Sequence, residues 1–430
     1  SLPCLTLARQ KRATIVGRGT SRAVEAFGAT QWSGFKDFCQ FASPTRVVAG
    51  RGLLEGAGFE FAKEGATRAL LVTDEGIRAT GLPDRVAEGL ADGGVEVAGV
   101  FDRVPQDSDA GAVAECAAMA RDGAADGFVA LGGGSVIDTT KAADILFTHS
   151  GEIADYEGVY GLPRAGEGMG APLPLAPLAA IPTTAGTGSE VSPVAVVKDP
   201  ERGIKVIVLD FPIAPRLAIL DPESTATLPA PIAAATGMDA LTHAIEGVTS
   251  TEWSPFGDAY ALHAIRMIRD NLERAVADTS DEVARGNMLI AANLAIVPTG
   301  LGATGITHSL SHPCGARHGV PHGVANAINL PVAIEFNAAE SDEVGDRYRE
   351  VAELVGADAG GTSADVGAGL ADWVRELTER LGLPRRLSEV GVTKDSVSQL
   401  AADAMGEGST LVNPREPTEE DFAELYRRAL

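Results

Sequence analysis

From about residue 45 the chain alternates short apolar runs with amphipathic stretches of helical period. RALLVTDEG (Arg68–Gly76) is an apolar run that closes on Asp74. RVAEGLADGG (Arg85–Gly94) follows as a helix, VEVAGVFD (Val95–Asp102) as a strand, AVAECAAMARDG (Ala112–Gly123) as a helix and GFVALGG (Gly127–Gly133) as a strand. Strands separated by helices of this length predict a parallel sheet, because a parallel pair needs a crossover and the crossing helix must bury its apolar side on the sheet. Beyond PIAAATGMDA (Pro231–Ala240) the period changes. PFGDAYALHAIRMIRDNLERAVA (Pro255–Ala277) and EVARGNMLIAANLAIV (Glu282–Val297) are long helical patterns, and strand signals become few. The pattern therefore predicts an α/β domain over 44–228 followed by an all-helical domain over 229–430. The Gly/Pro-rich stretch Gly158–Pro174 reads as a surface loop.

The first 43 residues stand apart. Arg9, Lys11, Arg12, Arg18 and Arg22 face only Glu25 as an acid before Asp37, and there is no apolar segment with a cleavage site and no amphipathic arginine helix. This segment is expected to be a flexible basic extension, and a chain starting near residue 43 is expected to fold and function normally. For the whole chain, a net charge of −24 argues against a nucleic-acid or anionic-membrane partner, since either would need clustered Lys and Arg. No run of eighteen apolar residues occurs. Cys4, Cys39, Cys116 and Cys314 lack CxxC spacing and read as reduced thiols of a cytoplasmic protein. A small-molecule enzyme is the class that survives these exclusions.

Two glycine-rich stretches suggest what it binds. In FVALGGGSVIDTTKAADI a strand ends at Leu131, Gly132 to Gly134 turn the chain and a helix starts near Ser135. Backbone amides of such a turn, at a helix N-terminus, form an anion site. IPTTAGTGSEVSP (Ile181–Pro193) adds Thr183, Thr184, Gly186, Thr187, Gly188 and Ser189. Together they predict a Rossmann-like dinucleotide cradle. Asp74, at the C-terminal end of a strand, is placed to accept the ribose hydroxyls and to repel a 2′-phosphate, which favours NAD over NADP; the competing role is a helix cap or turn.

The seven histidines are unevenly spread, with His308, His312, His318 and His322 inside one fifteen-residue window. His243 stands four residues after Asp239, so both share one helix face. Imidazole and carboxylate together suit a divalent transition metal. The helical domain is thus expected to be metal-binding.

GGGSVIDTTKA, PTTAGTGSE, GMDALTHAIEG, HSLSHPCGARHGVPHGVANAINLP and VNPREPTEEDF occur in an order that resembles the iron-containing (group III) alcohol dehydrogenases, the family that includes lactaldehyde reductase and 1,3-propanediol dehydrogenase. The resemblance runs from about residue 45 to the C-terminus. It implies metal ligands at Asp239, His243, His308 and His322, and a histidine beside substrate and cofactor at His312. It places cofactor contacts at Asp74, Gly133, Gly134, Ser135, Asp138, Thr183, Thr184, Gly186, Thr187, Val196 and Lys205. Many relatives carry Asn-Pro where this chain has Gln106 and Asp107.

The resemblance further implies a homodimer or higher homo-oligomer that oxidises a small alcohol or diol, or reduces an aldehyde, with NAD and one Fe(II) or Zn(II). The metal would polarise the substrate oxygen while a hydride passes between the substrate carbon and nicotinamide C4. His312 would relay the proton or support a ligand. A maleylacetate reductase generally lacks the full metal set. A hydroxyacid-oxoacid transhydrogenase and, more remotely, a dehydroquinate-synthase-like lyase are the other readings. His318 is expected to line the cleft, and Cys314 to fill space.

Overall fold

The computed structural model describes residues 42–149, 151–163, 174–202, 204–299 and 304–430. The expected basic extension lies almost wholly outside the described residues, as do Cys4, Cys39 and most of the Gly/Pro-rich stretch.

The strands are β1 (Arg46–Ala49), β2 (Arg68–Val72), β3 (Glu96–Phe101), β4 (Gly127–Gly132), β5 (Gly158–Val159), β6 (Leu178–Pro182), β7 (Val194–Asp199), β8 (Ile204–Leu209) and β9 (Leu217–Leu220). Six of them form one sheet in the order β1-β9-β6-β4-β2-β3, with every neighbouring pair parallel. Alternate residues serve two cores, as the pleat requires. Leu70, Val72, Phe128 and Ala130 pack against Val113, Cys116 and Ile137 of the helices Ala110–Asp122 and Gly134–Thr148. Leu71, Val129 and Leu131 pack on the other face against Phe61, Val86 and Leu90 of the helices Ala57–Ala62 and Leu82–Asp92. Every residue of β4 is buried, the reason GFVALG reads as a continuous apolar run. The expected parallel sheet, covered on both faces, is what forms.

Strand order also locates a crevice. The chain runs outward from β2 to β3, then returns across β2 to β4, β6 and β9. Its direction reverses between β2 and β4, and the crevice beyond the C-terminal ends of such strands is where α/β sheets bind ligands. Asp74 follows β2 and Gly132–Gly134 end β4, so the fold brings both to that crevice. A smaller sheet, β5-β8-β7, flanks it and contains an antiparallel β7–β8 hairpin in which Lys198 faces Lys205. The sequence reading overlooked this hairpin, although VAVVKDPERGIKVIVLD holds two alternating runs about a turn.

After β9 the described chain is helical: Ala230–Thr249, Pro255–Ala277, Glu282–Ile296, Ile306–His318, His322–Ala338, Asp342–Val355, Ser363–Arg380, Val397–Met405 and Glu419–Ala429 are its α-helices. Ser254, Asp281 and Ser341 cap three of them through side-chain oxygens, and Thr362 with Asp365 and Thr418 with Asp421 form capping boxes. Met238, Leu241, Ile245, Ile265, Leu310, Ile328 and Leu370 belong to one core. No helix among the described residues is long and apolar enough to cross a membrane.

One buried carboxylate in the α/β part has a measurable consequence. Asp144 is 2% exposed and accepts hydrogen bonds from the Ala176 amide at 3.1 Å and the Thr148 hydroxyl at 3.2 Å. Burial nevertheless pushes its carboxyl up to about 7. The folded state therefore holds this proton more tightly than the unfolded chain, where Asp titrates near 3.9. Stability from this group is present below pH ~4 and is lost as pH rises towards 7. Asp144→Asn should flatten that decline and raise the melting temperature at pH 8 relative to the parent. Parallel melting curves from pH 4 to 8 would contradict this.

Candidate metal centre and cofactor cleft

The helix Ala230–Thr249 is almost entirely buried and carries Asp239, His243 and Glu246 at i, i+4 and i+7, hence on one face. The helix Ile306–His318 brings His308 and His312, also one turn apart, and His322 opens the helix His322–Ala338. Their side chains converge. Asp239 Oδ1 lies 3.3 Å from His322 Nε2, 3.8 Å from His308 Nε2 and 3.8 Å from His243 Nε2. Donor atoms of Asp239, His308 and His322 all fall within 4.8 Å of one another. His243 joins through its Nε2, 3.1 Å from His308 Nε2, with the two rings stacked at 4.8 Å.

The chemistry of this donor set fits a divalent ion. Glu246 Oε2 lies 2.6 Å from His308 Nδ1, and since a carboxylate only accepts, Nδ1 carries a proton and the lone pair of the neutral ring is on Nε2; burial opposes a charge on this ring, but Glu246 and Asp239 outweigh it and draw its pKa up. Burial pushes His243 down to about 4, so this ring is neutral at pH 7. Its Nε2 and that of His308, 3.1 Å apart, need a proton or a cation to share. Burial alone would raise the Asp239 carboxyl, but the imidazoles of His243, His322 and His308 that face it, His322 within hydrogen-bond reach, hold it below the ordinary range. Three imidazoles and one carboxylate are an N3O set that accepts Fe(II) or Zn(II).

His312 stands beside this group. Its ring stacks on His322 at 5.3 Å and meets His308 edge-on at 5.9 Å, while its Nδ1 lies 2.7 Å from Glu407 Oε2. Burial lowers its pKa against the opposing pull of Glu407. His318 ends its helix away from the converging donors, and Cys314 is fully buried with its thiol pushed up to about 12, filling space as expected.

Sequence reasoning did not single out Glu246, Asn326 or Glu407. Asn326 Nδ2 donates to Asp239 Oδ1 at 2.8 Å from 87 positions away. Glu407 reaches His312 across 95 positions, a separation that carries no local pattern. Glu246 was legible, being one turn beyond His243.

In the crevice, Gly133 and Gly134 open the helix Gly134–Thr148, and the loop after β6 lies against them. A methyl on Gly134 would fall 2.9 Å from Thr187 Cγ2, so only glycine permits this approach. Thr184 and Thr187 stay half-buried while Thr183 is buried, its amide bonded to Gly132 O at 3.1 Å. Ser135 Oγ accepts from the Asp107 amide at 3.2 Å, and Asp107 Oδ1 lies 3.7 Å from Lys205 Nζ, so Lys205 reaches the rim of the loop. Asp74 is the N-cap of the short helix Glu75–Arg78, its Oδ1 accepting from the Ile77 amide at 2.8 Å.

Below the loop is a buried polar cluster. Lys141 Nζ donates to Ser189 Oγ at 2.9 Å, Ser192 O at 3.0 Å and Val194 O at 2.7 Å, and burial pushes it down to about 8. Asp138 accepts from Ser189 Oγ and from the Val196 amide at 3.1 Å, so both carboxylate oxygens bond within the protein and pin the cradle from beneath. Gly186 connects cradle to metal helix: a methyl there would fall 2.5 Å from Thr236 O, one turn before Asp239.

Known proteins share this fold. Residues 44–222 match the family described as iron-containing alcohol dehydrogenase, and residues 233–430 match the C-terminal part of the Fe-containing alcohol dehydrogenase family. The NAD-dependent methanol dehydrogenase of Bacillus methanolicus is 36% identical over 391 residues, covering 91% of this chain and 99% of that enzyme. The lactaldehyde reductase of Escherichia coli K12 is 36% identical over 385 residues, covering 88% and 96%. The crystal structure of a 1,3-propanediol oxidoreductase superposes with a TM-score of 0.85 at 33% identity, covering 91% of this chain and all of that one. With both of its parts matched and its fold shared over 91% of its length, this chain belongs to the iron-containing alcohol dehydrogenase family of oxidoreductases.

Proposed function

We propose that this chain catalyses the NAD-linked, divalent-metal-dependent interconversion of a small alcohol or diol and its carbonyl compound. The observation that carries this reading is the convergence of three histidine Nε2 atoms on Asp239 Oδ1, one helical turn from the contact of Thr236 with Gly186 of the cradle. In this division of labour residues 44–228 bind the dinucleotide and 229–430 bind the metal. The reading takes over the expected cytoplasmic location and homo-oligomeric state. That a relative of 36% identity is an NAD-dependent methanol dehydrogenase supports both the cofactor and the size of the substrate.

Asp239, His243, His308 and His322 would hold the ion, which when bound supplies Lewis-acid polarisation of the substrate oxygen. The amides of Gly133, Gly134 and Ser135, at a helix N-terminus, bind the pyrophosphate, and the half-buried Thr184 and Thr187 orient the dinucleotide beside them. Lys205 adds a positive charge at the rim, tempered by Asp107. His312, its Nδ1 proton held by Glu407, keeps a lone pair on Nε2 with which to take the alcohol proton or return it. Thr183, Asp138 and Val196 act from below, as the frame of the cradle.

The test is a panel of C2 to C4 alcohols, diols and aldehydes with NAD(H) and NADP(H), after loading with Fe(II) or Zn(II). Metal-dependent NADH formation from one or more small alcohols is expected. Undiminished turnover after metal removal, or substrate exchange without added cofactor, would overturn the reading.

A further inference from the structure

Glu246 stands one turn beyond His243 on the face that carries Asp239, is 7% exposed, and uses both carboxylate oxygens. Oε2 accepts from His308 Nδ1 at 2.6 Å, and Oε1 accepts from the Thr307 amide at 2.7 Å. That amide is among the first N–H groups of the helix Ile306–His318, which have no partner within the helix, and a negative charge is favoured at that end. One carboxylate therefore helps to hold the start of the helix and orients the ring it delivers.

We infer that Glu246 is a positioning residue for the metal centre: it forces His308 into the tautomer with a free Nε2 and sets the position from which that atom meets Asp239 and His322. The inference rests on the metal-centre reading given above. Its force lies in what an amide could not do. A carboxylate accepts at both oxygens, whereas glutamine accepts at one and donates at the other. If the Gln oxygen took the Thr307 amide, its NH2 would face His308 Nδ1 and drive the ring proton onto Nε2, blocking ligation. If the oxygen took His308 Nδ1–H, the NH2 would confront the Thr307 N–H and push the start of the helix away. Glu246→Gln keeps volume and shape, yet cannot keep both bonds.

The test uses Co(II) as the probe, added to metal-stripped full-length protein, with affinity measured by chelator competition and geometry read from the visible absorption bands. Glu246→Gln should bind Co(II) about 10–100-fold more weakly than the parent and with shifted bands. Equal affinity and unshifted bands, alongside a lowered melting temperature, would show a role in folding alone and overturn the inference. Should the variant not fold, nitrogen-15 histidine spectra of the Zn(II)-loaded parent decide: the His308 proton is expected on Nδ1, and a proton on Nε2 overturns the inference. Failure of the parent to bind Co(II) at all would overturn the metal-centre reading itself, which separates the two.

Discussion

His322→Ala and His243→Ala should each strip most of the bound metal and lower turnover at least about a hundredfold, or ~2.7 kcal/mol of transition-state stabilisation, because a site with three of four ligands binds weakly and misplaces its ion. The two variants should differ in every other respect. The His322 side chain is 40% exposed at the first position of its helix, so its removal leaves no cavity and the melting temperature of the metal-free protein should hold. His243 is 5% exposed in the centre of a buried helix, and truncation there should also cost roughly 2–4 kcal/mol of stability by analogy with other large-to-small core changes. Metal content and turnover measured together check this, and a metal-free parent with full activity would refute it.

Asp74 offers the second large effect, and the structure sharpens how to read it. Its Oδ1 caps the Glu75–Arg78 helix, so the capping role is real, and under the proposed function its carboxylate would also meet the ribose in the crevice. Asn caps about as well as Asp but carries no charge. Asp74→Asn should therefore keep the melting temperature while shifting the NAD to NADP specificity ratio towards NADP by at least about tenfold, ~1.4 kcal/mol. Asp74→Ala, which loses the cap as well, should in addition cost about 1 kcal/mol. If the ratio is the same in the parent and both variants, the carboxylate serves the fold alone.

What could be read in the sequence was local. Period-two and period-3.6 patterns revealed the parallel sheet and the helices, and the spacing of Asp239 and His243, or of His308 and His312, placed each pair on a helix face. Glu407 and Asn326 were invisible, because what makes them matter is a contact across 95 or 87 positions that only packing creates. Asp138 was legible as a residue of the glycine motif, but its hydrogen bond from Ser189 was not, because that partner lies 51 positions on. The β7–β8 hairpin failed for another reason: it interrupts the strand-helix alternation that had organised the reading of everything before it.

The approach of Gly186 to Thr236 O has a consequence for recombination. A designer wishing to exchange cofactor preference between two such proteins would cut in the stretch after Leu220, where the last strand has ended and the first long helix has not begun. That cut separates a backbone-to-backbone fit too tight for a methyl, and with it the match of Gly188 to Ile296. Hybrids from parents that differ in the pitch of the first helix should therefore be inherited as loose pairs of halves. Those that carry the Ala185–Ser189 loop together with its own helix should reassemble with the glycine-rich loops and the helix of Asp239 and His243 still in register.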